Sequence, residues 1–365
     1  MNREFAVENI RRNFKSPIDV TLREGEQFAG RFVRDDEVGH FENFELSPFQ
    51  AKRILSNLHR IGIEFAEVPN GLVHGINRTI IELVAMADRP KLLCHIRNNL
   101  LDAQAAIELG VDGLNILTFV DPERIARAGY QSLSEYLGVL QQVISLAKEH
   151  HLQTRVSVEH AWNGYFDQAL NVFEFANDLG VDRIGLPDTL GIANRFDVED
   201  RVTQARKRAP RPDIEVHFHN DGSIAVANAV EALIHGANHV NTTFAGIGER
   251  TGITPLSGLL TQLFLLDPNI VKGLHLELLT PAEQEVMDMI GLPVPHNLIT
   301  APNAFAHKAG IHAHGIQTHS TGLDLYQPFP ADTVGNQSRV ITRSRMSGRS
   351  TPSQVRAVLP QVIVQ

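Results

Sequence analysis

Ile214-Glu-Val-His-Phe-His-Asn-Asp221 is an apolar run that ends in polar, chemically capable side chains, and its continuation decides the fold. A helix-like stretch over 223–235, closed by Gly236, leads into a second apolar run over 239–244, which makes one strand–helix–strand unit. Glycine just past a helix end accepts the left-handed conformation that terminates the helix. The same punctuation recurs at Ile61-Gly62, Leu109-Gly110 and Leu179-Gly180, each ahead of another apolar run. Strand-like runs at 18–22, 63–68, 92–96, 113–117, 154–158, 183–186, 214–218 and 239–244 alternate with helix-like patterns such as 48–61, 102–109, 134–150, 166–179 and 223–235. Roughly eight strand–helix units over about 270 residues match an α/β fold of the closed parallel (β/α)8 kind, a TIM barrel. An open doubly wound sheet is the alternative, but no Gly-x-Gly-x-x-Gly follows the first strand.

Beyond about residue 275 the alternation stops. A short helical pattern over 281–290 precedes the proline-rich Leu292-Pro-Val-Pro-His296, then Ala306-His-Lys-Ala-Gly-Ile-His-Ala-His-Gly315 and a Ser/Arg/Gly-rich tail. Residues 1–275 are expected to form the barrel, and 276–365 a small, mostly helical appendage.

Composition narrows the classes of function. The chain has 365 residues, 43% hydrophobic and 21% charged, as in soluble globular proteins. A net charge of −9 with no basic block argues against nucleic acid as partner. The single cysteine, Cys94, excludes intrachain disulfides and cysteine–zinc sites, and it lies in the apolar run 91–96. No apolar stretch reaches ~18 residues and the N-terminus has no signal-peptide core, so a cytoplasmic protein without a membrane anchor is expected.

In parallel barrels the active site lies at the C-terminal ends of the strands. Here those ends carry Arg23 and Glu24, Asn70, Arg97 to Asn99, Thr118, Ser157 and Glu159, Asp188 and Thr189, His217 to Asp221, and Thr242 with Thr243. Residues two apart on a strand share a face, so Glu215, His217 and His219 project together. Two imidazoles form half of a divalent-metal site, and a carboxylate from Asp19-Val-Thr-Leu-Arg-Glu-Gly-Glu-Gln27 supplies a third ligand while leaving coordination positions open. Arg155 points inward from a strand, where an arginine needs either an acid such as Glu159 or a substrate carboxylate.

Four motifs in order, Thr21-Leu-Arg-Glu-Gly-Glu-Gln27, His217-Phe-His-Asn-Asp221, Gly246-Ile-Gly-Glu-Arg-Thr-Gly-Ile-Thr-Pro-Leu256 and His307-Lys-Ala-Gly-Ile-His312, span nearly the whole chain. Together they resemble the acyl-CoA-condensing, metal-dependent TIM-barrel enzymes: the homocitrate, isopropylmalate and citramalate synthases, with homocitrate synthase nearest. The resemblance implies a divalent metal (Mg, Mn or Zn) on Glu24, His217 and His219, and acetyl-CoA as co-substrate. It implies Arg23 over the carbonyl of a bound 2-oxo acid, and Gln27 and Glu215 supporting the metal shell. It implies Arg155, Ser157 and Thr189, with Arg97 and Asn99, at the far end of the acid. Glu159 matches a catalytic acid, and His312 with Tyr326 a pair that reaches the neighbouring subunit's barrel. The same resemblance implies a homodimer.

The chain departs from the homocitrate synthase pattern at His95-Ile-Arg-Asn-Asn99, where the family shows His-x-Arg-Cys-His. Asn99 carries no charge near neutral pH. The resemblance therefore implies condensation of acetyl-CoA with a 2-oxo acid: 2-oxoglutarate first, with 2-oxoisovalerate, oxaloacetate, pyruvate or phosphonopyruvate as alternatives. A metal-dependent C–C lyase on the same fold is a further reading, as is a non-catalytic binding protein. Two histidines and a carboxylate also describe non-haem iron oxygenases, but those sit on antiparallel β folds.

Overall fold

A computed structural model describes residues 2–34, 39–42, 44–72, 75–162, 164–318 and 326–340. The Ser/Arg/Gly-rich tail beyond 340 lies outside the described residues. The expected barrel is present. Its strands are β1 (Ser16–Asp19), β2 (Phe65–Val68), β3 (Lys91–Arg97), β4 (Gly113–Thr118), β5 (Gln153–Val158), β6 (Arg183–Asp188), β7 (Asp213–Phe218) and β8 (His239–Thr242). They close in the order β1-β8-β7-β6-β5-β4-β3-β2, parallel throughout. Helices including Pro48–Ile61, Ile76–Val84, Leu133–Glu149, Phe166–Asp178 and Ala225–Ile234 form the outer ring. The strands are buried on both faces, because helices cover the outside and side chains fill the inside.

Local chemistry explains the elements that carry function. Pro48–Ile61 starts from a capping box, with the Ser47 hydroxyl accepting from Gln50 N and the Gln50 side chain accepting from Ser47 N. It stops at Gly62, whose φ of 96° suits a residue without Cβ. The run 18–22, expected as one strand, is corrected: β1 ends at Asp19 and Thr21–Gln27 is a helix. The Asp19 carboxylate accepts from Thr21 N at 2.9 Å and Thr21 Oγ1 at 3.0 Å, which folds the chain into a helical turn despite the apolar Val20 and Leu22. Arg23 and Gln27, four apart, then share a helix face, and Arg23 Nη1 donates to Gln27 Oε1 at 3.2 Å.

The chain divides into two compact units, residues 1–272 and 273–365. In the second, the helix Leu279–Ile290 is followed by a parallel pair of two-residue strands, Ala306–His307 and Arg339–Val340, and by the helix Gly310–Thr318. Asn336 ties this unit together, its side-chain amide donating to Ile299 O at 3.0 Å and Ala301 O at 2.9 Å. Among the described residues no helix is long and apolar enough to cross a membrane.

Candidate active site

Strand register builds the interior. His95 lies beside Asn115, Asn115 beside Arg155, and Arg155 beside Arg183, so four polar side chains fall in one row across β3 to β6. A row of this kind is tolerated in a barrel only if its members satisfy one another. Glu67, fully buried on β2, is the hub: it pairs with Arg23 and accepts from Asn115 Nδ2, and it lies 3.2 Å from Arg155 Nη2 and 3.5 Å from His95 Nδ1. Glu215 is the second hub, bonded to Arg155, 3.2 Å from Arg183 Nε and accepting from Asn241 Nδ2 at 2.9 Å. Burial pushes both carboxyls up, but the arginines outweigh it and hold them below their ordinary range.

Above this network opens a cavity of about 170 Å³. Pockets for drug-sized ligands run to ~300–1,000 Å³, so this one suits a small acid. Arg23, Glu24, Gln27, Arg155, Ser157, Glu159, Thr189, Glu215, His217 and His219 all line it, as do His95 and Asn241. His217 and His219 meet with their Nε2 atoms 3.3 Å apart, and Glu24 Oε1 lies 3.7 Å from His217 Nε2. Ligand atoms of all three fall within 4.8 Å of one another, and all three residues are buried. Burial pushes His217 down to about 3, so both its ring nitrogens cannot be protonated near neutral pH. Burial lowers His219 as well, while burial of Glu24 is outweighed by Arg23, which holds its carboxyl below the usual value. Two neutral imidazoles and an ionised carboxylate, one of whose oxygens also pairs with Arg23, converge in a set that fits a divalent metal ion.

The glycine-rich loop serves this carboxylate. A Cβ on Gly248 would stand 2.8 Å from Glu24 Oε2, closer than real contacts allow. Gly248→Ala is therefore expected to push Glu24 aside and weaken divalent-metal binding about tenfold, as outer-shell changes do. Titration calorimetry with Mn²⁺ checks this, and unchanged affinity contradicts it. The same loop is held by Arg250, which forms a two-toothed pair with Asp221 at 2.9 Å and donates to Thr189 O at 2.8 Å.

Other expected residues are placed differently. Arg97 and Asn99 do not reach the cavity. Asn99 caps the helix Leu100–Glu108, accepting from Leu101 N at 2.7 Å, and Arg97 makes two 2.8 Å bonds to Asp102 with its side chain 70% exposed. Ser, Thr, Asp and Asn at a helix start are drawn to the free N–H groups there, which explains the diversion of Asn99. Glu159 lines the cavity but is paired with Arg124 at 2.5 Å, rather than with Arg155. In the second unit His312 stacks on Tyr326, ring centroids 4.1 Å apart. Sequence reasoning missed Glu67, His95, Asn115 and Asn241. Their signal was an acid, imidazole or amide in the middle of an apolar strand, where only a paired group is stable.

A closed parallel barrel with two imidazoles and a carboxylate grouped at its strand-end rim defines the class, and the chain belongs to the HMGL-like family, whose family model matches residues 16–286. A second family model, described as homocitrate synthase post-HMGL domain-like, matches residues 299–358. The chain is 32% identical over 336 residues to the mitochondrial homocitrate synthase of Schizosaccharomyces pombe, covering 91% of this chain and 76% of that one. It is 32% identical over 314 residues to the cytosolic homocitrate synthase isozyme of Saccharomyces cerevisiae, covering 85% and 70%. Among solved structures, the HMG-CoA lyase of Bacillus subtilis superposes with a TM-score of 0.66 at 22% identity, over 78% of this chain and 96% of that one. This last likeness is one of fold.

Proposed function

We propose that this enzyme condenses acetyl-CoA with 2-oxoglutarate, forming a carbon–carbon bond and, after thioester hydrolysis, homocitrate and CoA. The cavity's charge carries the reading. Beneath it three arginines, Arg23, Arg155 and Arg183, meet three glutamates, Glu24, Glu67 and Glu215, in one buried network. The network is neutral, so a divalent cation on Glu24, His217 and His219 leaves a double positive charge for the substrate to match. A 2-oxo dicarboxylate matches it; a monocarboxylate such as pyruvate leaves a buried charge uncompensated.

The bound metal would supply Lewis acidity toward the 2-oxo group. Arg23, with Nη1 2.6 Å from Glu24 Oε1, provides a fixed cation for the oxygen that gains charge, a role worth ~10²–10³ in rate at comparable sites. At the other end Arg155 keeps Nε buried without a hydrogen-bond partner, a donor for the distal carboxylate alongside Ser157 and Thr189. His95 lines the cavity, whereas Asn99 caps the helix Leu100–Glu108. His312, ordered by its stack on Tyr326, removes the acetyl methyl proton with Glu159 assisting, a contribution of typically ~10²–10⁴. In this reading the pair is delivered by the other subunit of a cytoplasmic homodimer, in keeping with the motif resemblance around His307 and His312.

The test is kcat/KM for CoA release with 2-oxoglutarate, 2-oxoisovalerate, pyruvate, oxaloacetate and phosphonopyruvate. A site built to hydrogen-bond a group rejects analogues lacking it strongly, so 2-oxoglutarate should exceed pyruvate and 2-oxoisovalerate by about a hundredfold or more. Parity with the monocarboxylates would overturn the distal-carboxylate assignment.

A further inference from the structure

Asn241 lies on β8, 1% exposed, with both ends of its side-chain amide engaged. Its Nδ2 donates to Glu215 Oε1 at 2.9 Å, and its Oδ1 faces His217 Nδ1 at 3.2 Å. The orientation of the amide is set by chemistry. Glu215 is a carboxylate ion-paired with Arg155 and Arg183, and a carboxylate only accepts, so the amide must present its nitrogen there. Its oxygen is then fixed toward His217, and an oxygen opposite Nδ1 requires the ring proton on Nδ1. The Nε2 lone pair is thereby left bare toward His219 and Glu24. We propose that Asn241 is a positioning residue that sets the tautomer of His217 and so makes its Nε2 a ligand. Asn241 thus links the substrate-binding arginine network to the metal end of the cavity: Arg155, Glu215, Asn241 and His217 form one chain of hydrogen bonds. The consequence for metal binding rests on the Glu24, His217 and His219 assignment; the tautomer does not.

The experiment uses metal-free, ¹⁵N-histidine-labelled protein, with the His217 signals assigned by their loss in His217→Gln. In the native protein Nδ1 should carry the proton and Nε2 should give the shift of an unprotonated nitrogen. Asn241→Leu, which keeps the volume and removes both contacts, should move the proton to Nε2 or mix the two forms. Asn241→Asp, which keeps an acceptor oxygen opposite Nδ1, should restore the native tautomer, and a purely structural role would not produce that rescue. Calorimetry with Mn²⁺ should show about 10–100-fold weaker binding in Asn241→Leu. A native His217 protonated at Nε2, or an Asn241→Leu protein with unchanged tautomer and affinity, overturns the proposal. Native protein that shows the expected tautomer but binds no Mn²⁺ leaves Asn241 its role and removes the metal assignment instead.

Discussion

His217→Ala protein is expected to lose CoA-releasing turnover by about 10³-fold or more and to purify without a stoichiometric divalent metal. The magnitude arises because Lewis-acid stabilisation is worth several kcal/mol, and each ~1.4 kcal/mol of barrier is a factor of ten in rate. The direction comes from geometry. His217 is the central member of the proposed ligand set, with Nε2 3.3 Å from His219 Nε2 and 3.7 Å from Glu24 Oε1. Removing it leaves one imidazole and one carboxylate. Metal content and initial rates on the same preparation check this, and a metal-replete variant with near-normal rate would refute the ligand assignment.

The second large effect concerns stability. Arg155 is 4% exposed and bridges Glu67 and Glu215, the two carboxylates around which the interior is organised. Arg155→Met keeps much of the volume but leaves each acid with one arginine fewer, Glu67 with Arg23 and Glu215 with Arg183. Breaking a buried pair by removing one partner destabilises by about 3–5 kcal/mol, and the surviving arginines place this case near the lower figure. The deficit should depend on pH in a defined sense. Both glutamates have folded-state pKa values held below the ordinary value, so the stability they contribute is present above the unfolded value of about 4.3 and is lost as pH falls through the folded one. The gap between native and variant should therefore be full at pH 7 and narrow below about pH 4. Urea unfolding at the two pH values measures it; equal midpoints at pH 7 would show that Arg155 contributes no net stabilisation.

Much of the fold was legible because barrel strands are buried on both faces and so appear as short apolar runs, each separated by a helix and its terminating glycine. The run 18–22 failed for a reason invisible to hydrophobic pattern: one carboxylate, Asp19, diverts the chain into a helix by accepting from Thr21. The convergence of Glu24, His217 and His219 was legible because alternation on β7 places two imidazoles on one face and an ordered motif supplies the acid. Arg97 and Asn99 were misplaced because a strand end can be captured by the helix that succeeds it, here through Asp102 and the free N–H groups of Leu101 and Asp102. Glu67, His95, Asn115 and Asn241 escaped notice because each owes its role to partners on other strands. Glu67 joins Arg23 from the first turn to Arg155 from β5, a conjunction that only barrel closure creates.

The most direct test of metal-dependent condensation is CoA release by chelator-stripped protein given acetyl-CoA and 2-oxoglutarate, with Mg²⁺, Mn²⁺ or Zn²⁺ added back. CoA should appear only when metal, thioester and oxo acid are all present, with homocitrate formed in equal amount. No CoA release with any metal, together with cleavage of a 3-hydroxyacyl-CoA to acetyl-CoA by the same preparation, would make this barrel a lyase and contradict the proposed condensation.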